Sequence, residues 1–380
     1  QKQKETSSSF IEENIEFASK QIERQLEAAP KEGKRIFPRR LDKGEMVYIG
    51  RNDWTSGFFP GSLWYLYELT GDEKWKPRAE RYTLALDSVK FLTWHHDVGF
   101  MIGCSFGNGL RLTQNESYKD VIIQTAKSLC TRFRPGAGIL QSWDTNSGWM
   151  SKRGWQCPVI IDNMMNLELL FEATQLSGDS SFYEIAVSHA NVTLNNHYRD
   201  DYSCYHVLDF DTITGSIRHK HTAQGFAHES AWARGQSWGI YGFTVAYRET
   251  GNNNYLKRAE QALDFVLNHP NMPKDGIPYW DYDAEGIPNQ PRDASAAAIM
   301  ASAMYELSSY SEKKDYKAIA DKIISSLASE NYKAKPGENG NFILMHSVGS
   351  IPHGVEIDVP LNYADYYFLE ALKRKRDLDM

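Results

Sequence analysis

Cysteine is scarce in this chain. Its 380 residues hold four, Cys104, Cys130, Cys157 and Cys204, far apart and without a C-x-x-C pair. That spacing argues against a structural zinc site and against a disulfide-dense fold. Long apolar runs are also missing: none approaches the ~20 residues that span a bilayer, so no membrane partner is expected. Positive charge is not in excess. The 42 Lys and Arg face 49 Asp and Glu, for a net charge of −7, and this disfavours a nucleic-acid partner, which requires basic surface. The run from Lys31 to Lys43, with Lys34, Arg35, Arg39 and Arg40, is the local exception and reads as a solvated face. No P-loop, G-x-G-x-x-G or G-x-S-x-G element occurs, which weakens nucleotide-dependent and serine-esterase chemistry. No linker divides the chain, so residues 10–380 are expected to form one domain behind a disordered polar tail at 1–9. The polar start at Gln1 fits a mature end left by a removed signal peptide. An engineered start explains it equally well. The expected location is the periplasm, with the cytoplasm as the alternative.

What the chain does have is a repeated phrase: an apolar helical run, a polar turn with Gly or Asn, then a second helix opening on an aromatic. It occurs at Leu66–Trp75, Leu170–Tyr183 and Ala246–Tyr255, and in weaker form at Gly109–Tyr118 and Met304–Tyr316. A left-handed Gly or Asn closes the first helix and the next polar residue caps the second. Periodicity and stop signals place twelve helices near 10–29, 60–70, 75–93, 106–113, 117–133, 162–177, 180–196, 234–250, 254–268, 294–309, 313–329 and 360–376. Short turns alternate with long connections. The expected fold is therefore all-α, an (α/α)6 barrel of six hairpins in a ring, with every long loop at one mouth. An open solenoid would not need such unequal links, and its repeats recur at fixed period. A minor β-hairpin is expected around Tyr202–Ile217.

Aromatic and acidic residues gather in those long connections. Seven tryptophans fall there: Trp54, Trp94, Trp143, Trp149, Trp155, Trp232 and Trp280, with Trp238 just inside the following helix. Flat rings with a polar edge suit stacking on sugars. Asp97, in WHHDVGF, and Asp162, in PVIIDNMMNLELL, would stand at the same mouth. Paired carboxylates are how sugar-cleaving enzymes divide acid and base work. Taken singly, Asp162 is an N-cap and Asp97 a turn residue. A helix dipole would lower the pKa of Asp162, whereas a second carboxylate and apolar walls would raise it. His219, His221 and His228-Glu229 could suggest a metal, but no further ligand set accompanies them. No metal or cofactor is expected.

The segments Asp53–Trp75, His95–Gly109, Ile160–Thr174, Ser230–Phe243 and Arg292–Leu307 together resemble the unsaturated glucuronyl hydrolases, glycoside hydrolase family 88. The strings WARGQ-x-W and IDNMMNLELL are the most specific part of the match, which runs in order from about residue 50 to 370. The resemblance implies an (α/α)6 barrel and metal-free hydrolysis of oligosaccharides that carry a 4,5-unsaturated uronate at the non-reducing end. Candidate substrates are lyase-generated glycosaminoglycan fragments. The chemistry implied is protonation at C4 of an enol ether, addition of water at C5 and spontaneous opening of the hemiketal. By motif match Asp162 is the general acid and Asp97 its partner. The match also places His206, Gln224, Arg234 and Trp238 around the uronate, with Arg234 expected to grip its carboxylate bidentately and a structural ion pair as the alternative role. His96 is a further acid/base candidate, and Trp54 and Trp143 are expected ring platforms. Ser347 and Ser350 resemble a region that reads sulfate in some relatives. The lysine expected two residues after the second serine is replaced by Pro352, with His353 a partial substitute. The chain is expected to be a monomer or weak homo-oligomer. Alternatives are hydrolysis of unsaturated galacturonyl-rhamnose from pectin, a sugar epimerase using His96 and His206, and a sugar-binding protein that has lost catalysis.

Overall fold

The computed structural model describes residues 2–380 and contains thirteen α-helices. They are α1 (Lys2–Ala28), α2 (Phe58–Thr70), α3 (Trp75–Leu84), α4 (Val98–Ile102), α5 (Asn108–Thr113), α6 (Glu116–Cys130), α7 (Leu167–Ser177), α8 (Ser180–Asn196), α9 (Ala233–Thr250), α10 (Asn253–Asn268), α11 (Ala294–Leu307), α12 (Tyr316–Leu327) and α13 (Asn362–Asp379). A π-helical turn, Gly103–Gly107, joins α4 to α5, so the two act as one inner rod.

The inner rods close a ring. α2 packs on α5 and the π turn, α4 on α7, α7 on α9, α9 on α11, α11 on α13, and α13 back on α2. Outer helices back them: α3 on α2, α6 on α4 and α5, α8 on α7, α10 on α9, α12 on α11 and α1 on α13. The fold is an (α/α)6 barrel. Five hairpins are local, while the sixth joins the two ends of the chain. Inner helices are buried on nearly every face, so α11 is built largely of Ala and Ser, and in α9 Gly239 and Gly242 lie against Tyr198 and Met164 where a methyl would collide.

The repeated turns behave as their residues demand. Gly178 and Gly251 adopt φ of 74° and 70°, and their N–H groups bond Thr174 O and Tyr247 O at 2.8 Å each. Asp179 and Asn252 then accept the N–H of Ser181 and Asn254 at 2.9 Å each, opening the next helix. Short links lie at the C-terminal ends of the inner helices, so all the long loops and all the inner N termini meet at the other end.

Three expectations need correction. Residues 2–9 are not a disordered tail. They are the first turns of α1, and Ser7 hydrogen-bonds Asp379 of α13. Gln1 lies outside the described residues. The fourth helix does not begin at 106 but at Val98, so Asp97 immediately precedes a helix instead of sitting within a long loop. The mouth hairpin falls later than expected, and it carries a third strand. β1 (Phe37–Asp42) pairs β2 (Glu45–Ile49), and β3 (Phe133–Arg134) pairs β4 (Ile139–Leu140). β5 (Pro158–Ile160), β6 (Val207–Phe210) and β7 (Ile217–His221) form a three-stranded sheet, and β8 (Ser347–Ser350) pairs β9 (Val355–Val359). No helix among the described residues is long and apolar enough to cross a membrane.

Candidate active site

Asp97 and Asp162 reach the mouth from neighbouring inner rods. Asp97 stands at the N terminus of α4, and Asp162 lies in a 3-10 turn, Ile161–Asn166, that leads from β5 into α7. Asn166 fixes their spacing: its Oδ1 accepts Phe100 N–H at 3.1 Å and its amide donates to Asn163 Oδ1 at 3.1 Å. The close approach needs Gly99, because a methyl there would run into Asn166. Gly99→Ala is expected to cost about 1–3 kcal/mol as an overpacking change and to lower kcat as the two acids move apart. Chemical denaturation and kinetics on one preparation check both effects.

The two carboxyls are held in opposite states. Burial pushes Asp162 from 3.8 to about 7; the charges of His96 and Arg234 offset part of this, and that of Asp97 adds to it. Burial also acts on Asp97, yet the His96 and His95 imidazoles and Arg132 outweigh it and hold this carboxyl below its usual value. His96 Nε2 lies 3.1 Å from Asp97 Oδ1, and His95 Nδ1 accepts the Asp97 N–H at 3.0 Å. Two titratable groups pushed apart by their surroundings are the pattern of an acid and its partner. The plain N-cap reading of Asp162 fails, since it caps nothing and its buried Oδ1 has no hydrogen bond.

His206 faces Asp162, with Nε2 3.7 Å from Oδ1. Its Nδ1 accepts backbone N–H from Ala223 at 3.0 Å and from Gln224 at 3.3 Å. The ring proton therefore sits on Nε2, aimed at the acid. Burial, then Arg234, depress its pKa well below the usual value, so the ring stays neutral. Trp143 meets His206 edge-on at 6.3 Å and stacks on Trp155 at 6.1 Å, which makes it a wall of the site. Trp54 packs on Phe58, Phe100 and Tyr363, and Trp238 lies fully buried behind Phe100 at 5.0 Å.

Arg234 is tied into the structure through part of its guanidinium. Nη1 donates to Val348 O and lies 3.4 Å from Asp293, and Nη2 donates to Gly349 O at 2.8 Å, while the Nε–H and the second Nη2–H remain to meet a ligand. The guanidinium also makes the ion pair weighed as its alternative role, and it lies 4.5 Å from the Trp232 ring centre and 5.3 Å from that of Tyr363. Ser347 lies beside Val348 with a buried, unpartnered hydroxyl, while Ser350 is hydrogen-bonded to His353 Nδ1 at 2.6 Å. Asp293 and Tyr363 were not singled out in the sequence, and Trp232 only as one of the loop tryptophans. The Asp-x-Ser cap before α11 marks Asp293 as a cap, but nothing local shows that it also faces Arg234.

Unpartnered buried polar atoms cluster here: His96 Nδ1, Asp162 Oδ1, His206 Nε2, Arg234 Nε, Trp238 Nε1, Ser347 Oγ and Tyr363 Oη. Buried polar groups are costly without partners, so such a set in one place marks a surface awaiting a polar ligand. A separate hollow of about 400 Å³ at the opposite end of the barrel, among Glu168, Glu172, Arg248 and Glu370, lines none of these atoms. Among the described residues no group of three or more His, Cys, Asp or Glu is arranged to hold a metal. His219 and His221 stack with parallel planes at 5.0 Å, so their nitrogens do not converge on a common point.

Known proteins resemble the chain in sequence and in fold. The profile of Glycosyl Hydrolase Family 88 matches residues 33–375. An unsaturated glucuronyl hydrolase of Formosa agariphila is 50% identical over 349 residues, covering 91% of this chain and 86% of that protein. An unsaturated chondroitin disaccharide hydrolase of Streptococcus pneumoniae is 32% identical over 374 residues, covering 96% and 92%. The crystal structure of an unsaturated glucuronyl hydrolase specific for heparin superposes with a TM-score of 0.92 at 43% identity, covering 97% of this chain and 98% of that one. A profile that spans nearly the whole chain, and identity at half of the 349 residues aligned with one relative, lead to one assignment: the chain belongs to glycosyl hydrolase family 88.

Proposed function

We propose that the protein is an unsaturated glucuronyl hydrolase that removes the non-reducing-end 4,5-unsaturated uronate from glycosaminoglycan oligosaccharides, with Asp162 as general acid and Asp97 as its ionised partner. One observation carries the assignment of roles: a buried carboxyl with pKa about 7, its Oδ1 unpartnered and facing a neutral His206 N–H. A general acid works best with a pKa near the operating pH.

Asp162 delivers its proton to C4 of the enol ether, and positive charge develops at C5 and the ring oxygen. The Asp162 carboxylate then accepts a proton from water as the water oxygen bonds to C5, which restores the acid. The hemiketal opens with C5=O formed and the C5–O5 bond broken, and the aglycone leaves from C1 as an alcohol. His206 Nε2–H orients Asp162 or the attacking water. Six inner-helix N termini surround the mouth, and their positive ends favour an anionic sugar. Trp143 supplies a ring platform. Gln224, half-buried beside His206, and Ser347 are placed to donate to hydroxyl or carboxylate groups. An epimerase reading on His96 and His206 is weaker, since a ring held far below its usual pKa is a poor proton acceptor.

Loss of the conjugated absorbance on incubation with unsaturated chondroitin or heparin disaccharides tests the reaction. Unsaturated galacturonyl-rhamnose run in parallel tests the substrate class. Turnover of the pectin-derived disaccharide alone refutes the glycosaminoglycan assignment.

The pH profile follows from the two carboxyls. Asp162 must be protonated and Asp97 ionised, so kcat/KM is expected to fall as pH rises through about 7 and to fall in acid only below the ordinary Asp range. The charge of Asp97 raises the Asp162 pKa, so the residual activity of Asp97→Asn should show its alkaline limb at lower pH. An unmoved limb in that variant contradicts the coupling.

A further inference from the structure

We propose that Arg153, His219, His221 and His228 form an anion-binding subsite at the outer mouth, which takes a sulfate or carboxylate carried by a sugar on the leaving side of the scissile linkage. This rests on the function proposed above. His219 and His221 alternate on one face of β7 with rings stacked at 5.0 Å, and His228 closes on His221 at 4.5 Å. His221 Nδ1 accepts the Trp155 indole N–H at 2.7 Å, and His228 Nδ1 accepts Thr222 N–H at 3.0 Å. Each of these two rings therefore carries its proton on Nε2, as an outward N–H donor. The Arg153 guanidinium lies over Trp155 at 5.1 Å and Trp149 at 5.6 Å, steadied by Thr222 O at 3.3 Å.

Among the described residues no carboxylate pairs with any of these four groups, although the chain carries a net charge of −7. Arg153, His219 and His228 are exposed and His221 is half-buried, so all four are open to a ligand, and guanidinium geometry suits planar or tetrahedral oxyanions. Position supplies the direction. The deep end of the site is closed by buried Arg234, Trp238 and Tyr363, so the unsaturated sugar enters first. Trp155 stacks on Trp143, which touches His206, and this places the cluster one aromatic layer further out, where the leaving sugars must lie.

The test compares Arg153→Gln and the double variant His219→Ala/His228→Ala with wild type, on a sulfated unsaturated tetrasaccharide and on an unsulfated unsaturated disaccharide with a neutral leaving sugar. KM for the tetrasaccharide is expected to rise about 10-fold, the loss of one or two charge-assisted hydrogen bonds. Its kcat should hold, and both constants for the neutral disaccharide should stay at wild-type values. Added salt should raise the wild-type KM for the tetrasaccharide more than that of the variants. Arg153→Lys, which keeps the charge, should recover part of the loss and guards against a merely structural effect. An equal KM change on both substrates, or none on the tetrasaccharide, overturns the subsite. Wild-type failure on both substrates refutes the function beneath it instead.

Discussion

Asp162→Asn is expected to lower kcat by about 10²–10⁴-fold while KM changes little, because an amide keeps the shape of the carboxyl but cannot give up the proton. The structure supplies an internal control. A buried Asp whose pKa is raised from 3.8 to about 7 binds its proton more tightly in the folded chain than in the unfolded one. Its contribution to stability is therefore complete below the unfolded value and declines as pH rises toward and through about 7. The Asn variant carries no such titration. Near pH 8 it should melt no lower than wild type, even though it is inactive. Retained turnover would remove Asp162 as the acid, whereas inactivity with a large loss of melting temperature would point to misfolding instead.

Arg234→Met carries the other large expected effect, on stability. The guanidinium is buried, and it ties three chain segments together through Val348 O, Gly349 O and Asp293. Removing it strands Asp293, whose carboxyl burial already pushes above its usual value despite the Arg234 charge. Breaking a buried pair from one side costs about 3–5 kcal/mol. The urea midpoint should fall by the corresponding amount without a change in m. Adding Asp293→Asn should return part of the loss, because the stranded charge is then gone. The Arg234 charge also lowers the Asp162 pKa, so any residual activity of Arg234→Met should show its alkaline limb at higher pH. A midpoint shift of under about 1 kcal/mol would contradict a structural role for this side chain.

Local signals in the sequence reached some features and not others. The short turns were readable because everything that makes them lies within a few residues: a left-handed closing residue, then a polar cap. The sixth hairpin was not, since its helices are α1 and α13, at opposite ends of the chain. The inner rod at 98–113 was half missed because the stretch with Gly99 and Gly103 read as loop, whereas Gly107 and Gly109 fell inside the expected helix at 106–113. At Gly99 and Gly109 the missing side chain instead permits contact with Asn166 and with Trp64 and Tyr118. The acid pair was legible as residue types in matching motifs, but not its electrostatic split. A helix dipole argued for a lowered Asp162 and apolar walls with a second carboxylate for a raised one, and burial is the strongest influence. Arg234 was read as a substrate grip because its chemistry suits one. Its additional ties to the carbonyls of β8, more than a hundred residues away, lie beyond any local pattern.

The hydration mechanism is tested most directly by turnover of an unsaturated disaccharide in D2O, with early-time NMR of the released keto sugar. An enzyme-held acid delivers from one face, so the account predicts a single deuterium at C4 in one configuration. Deuterium distributed between both C4 positions would mean that the double bond is protonated in free solution after ordinary glycoside cleavage, and would contradict it.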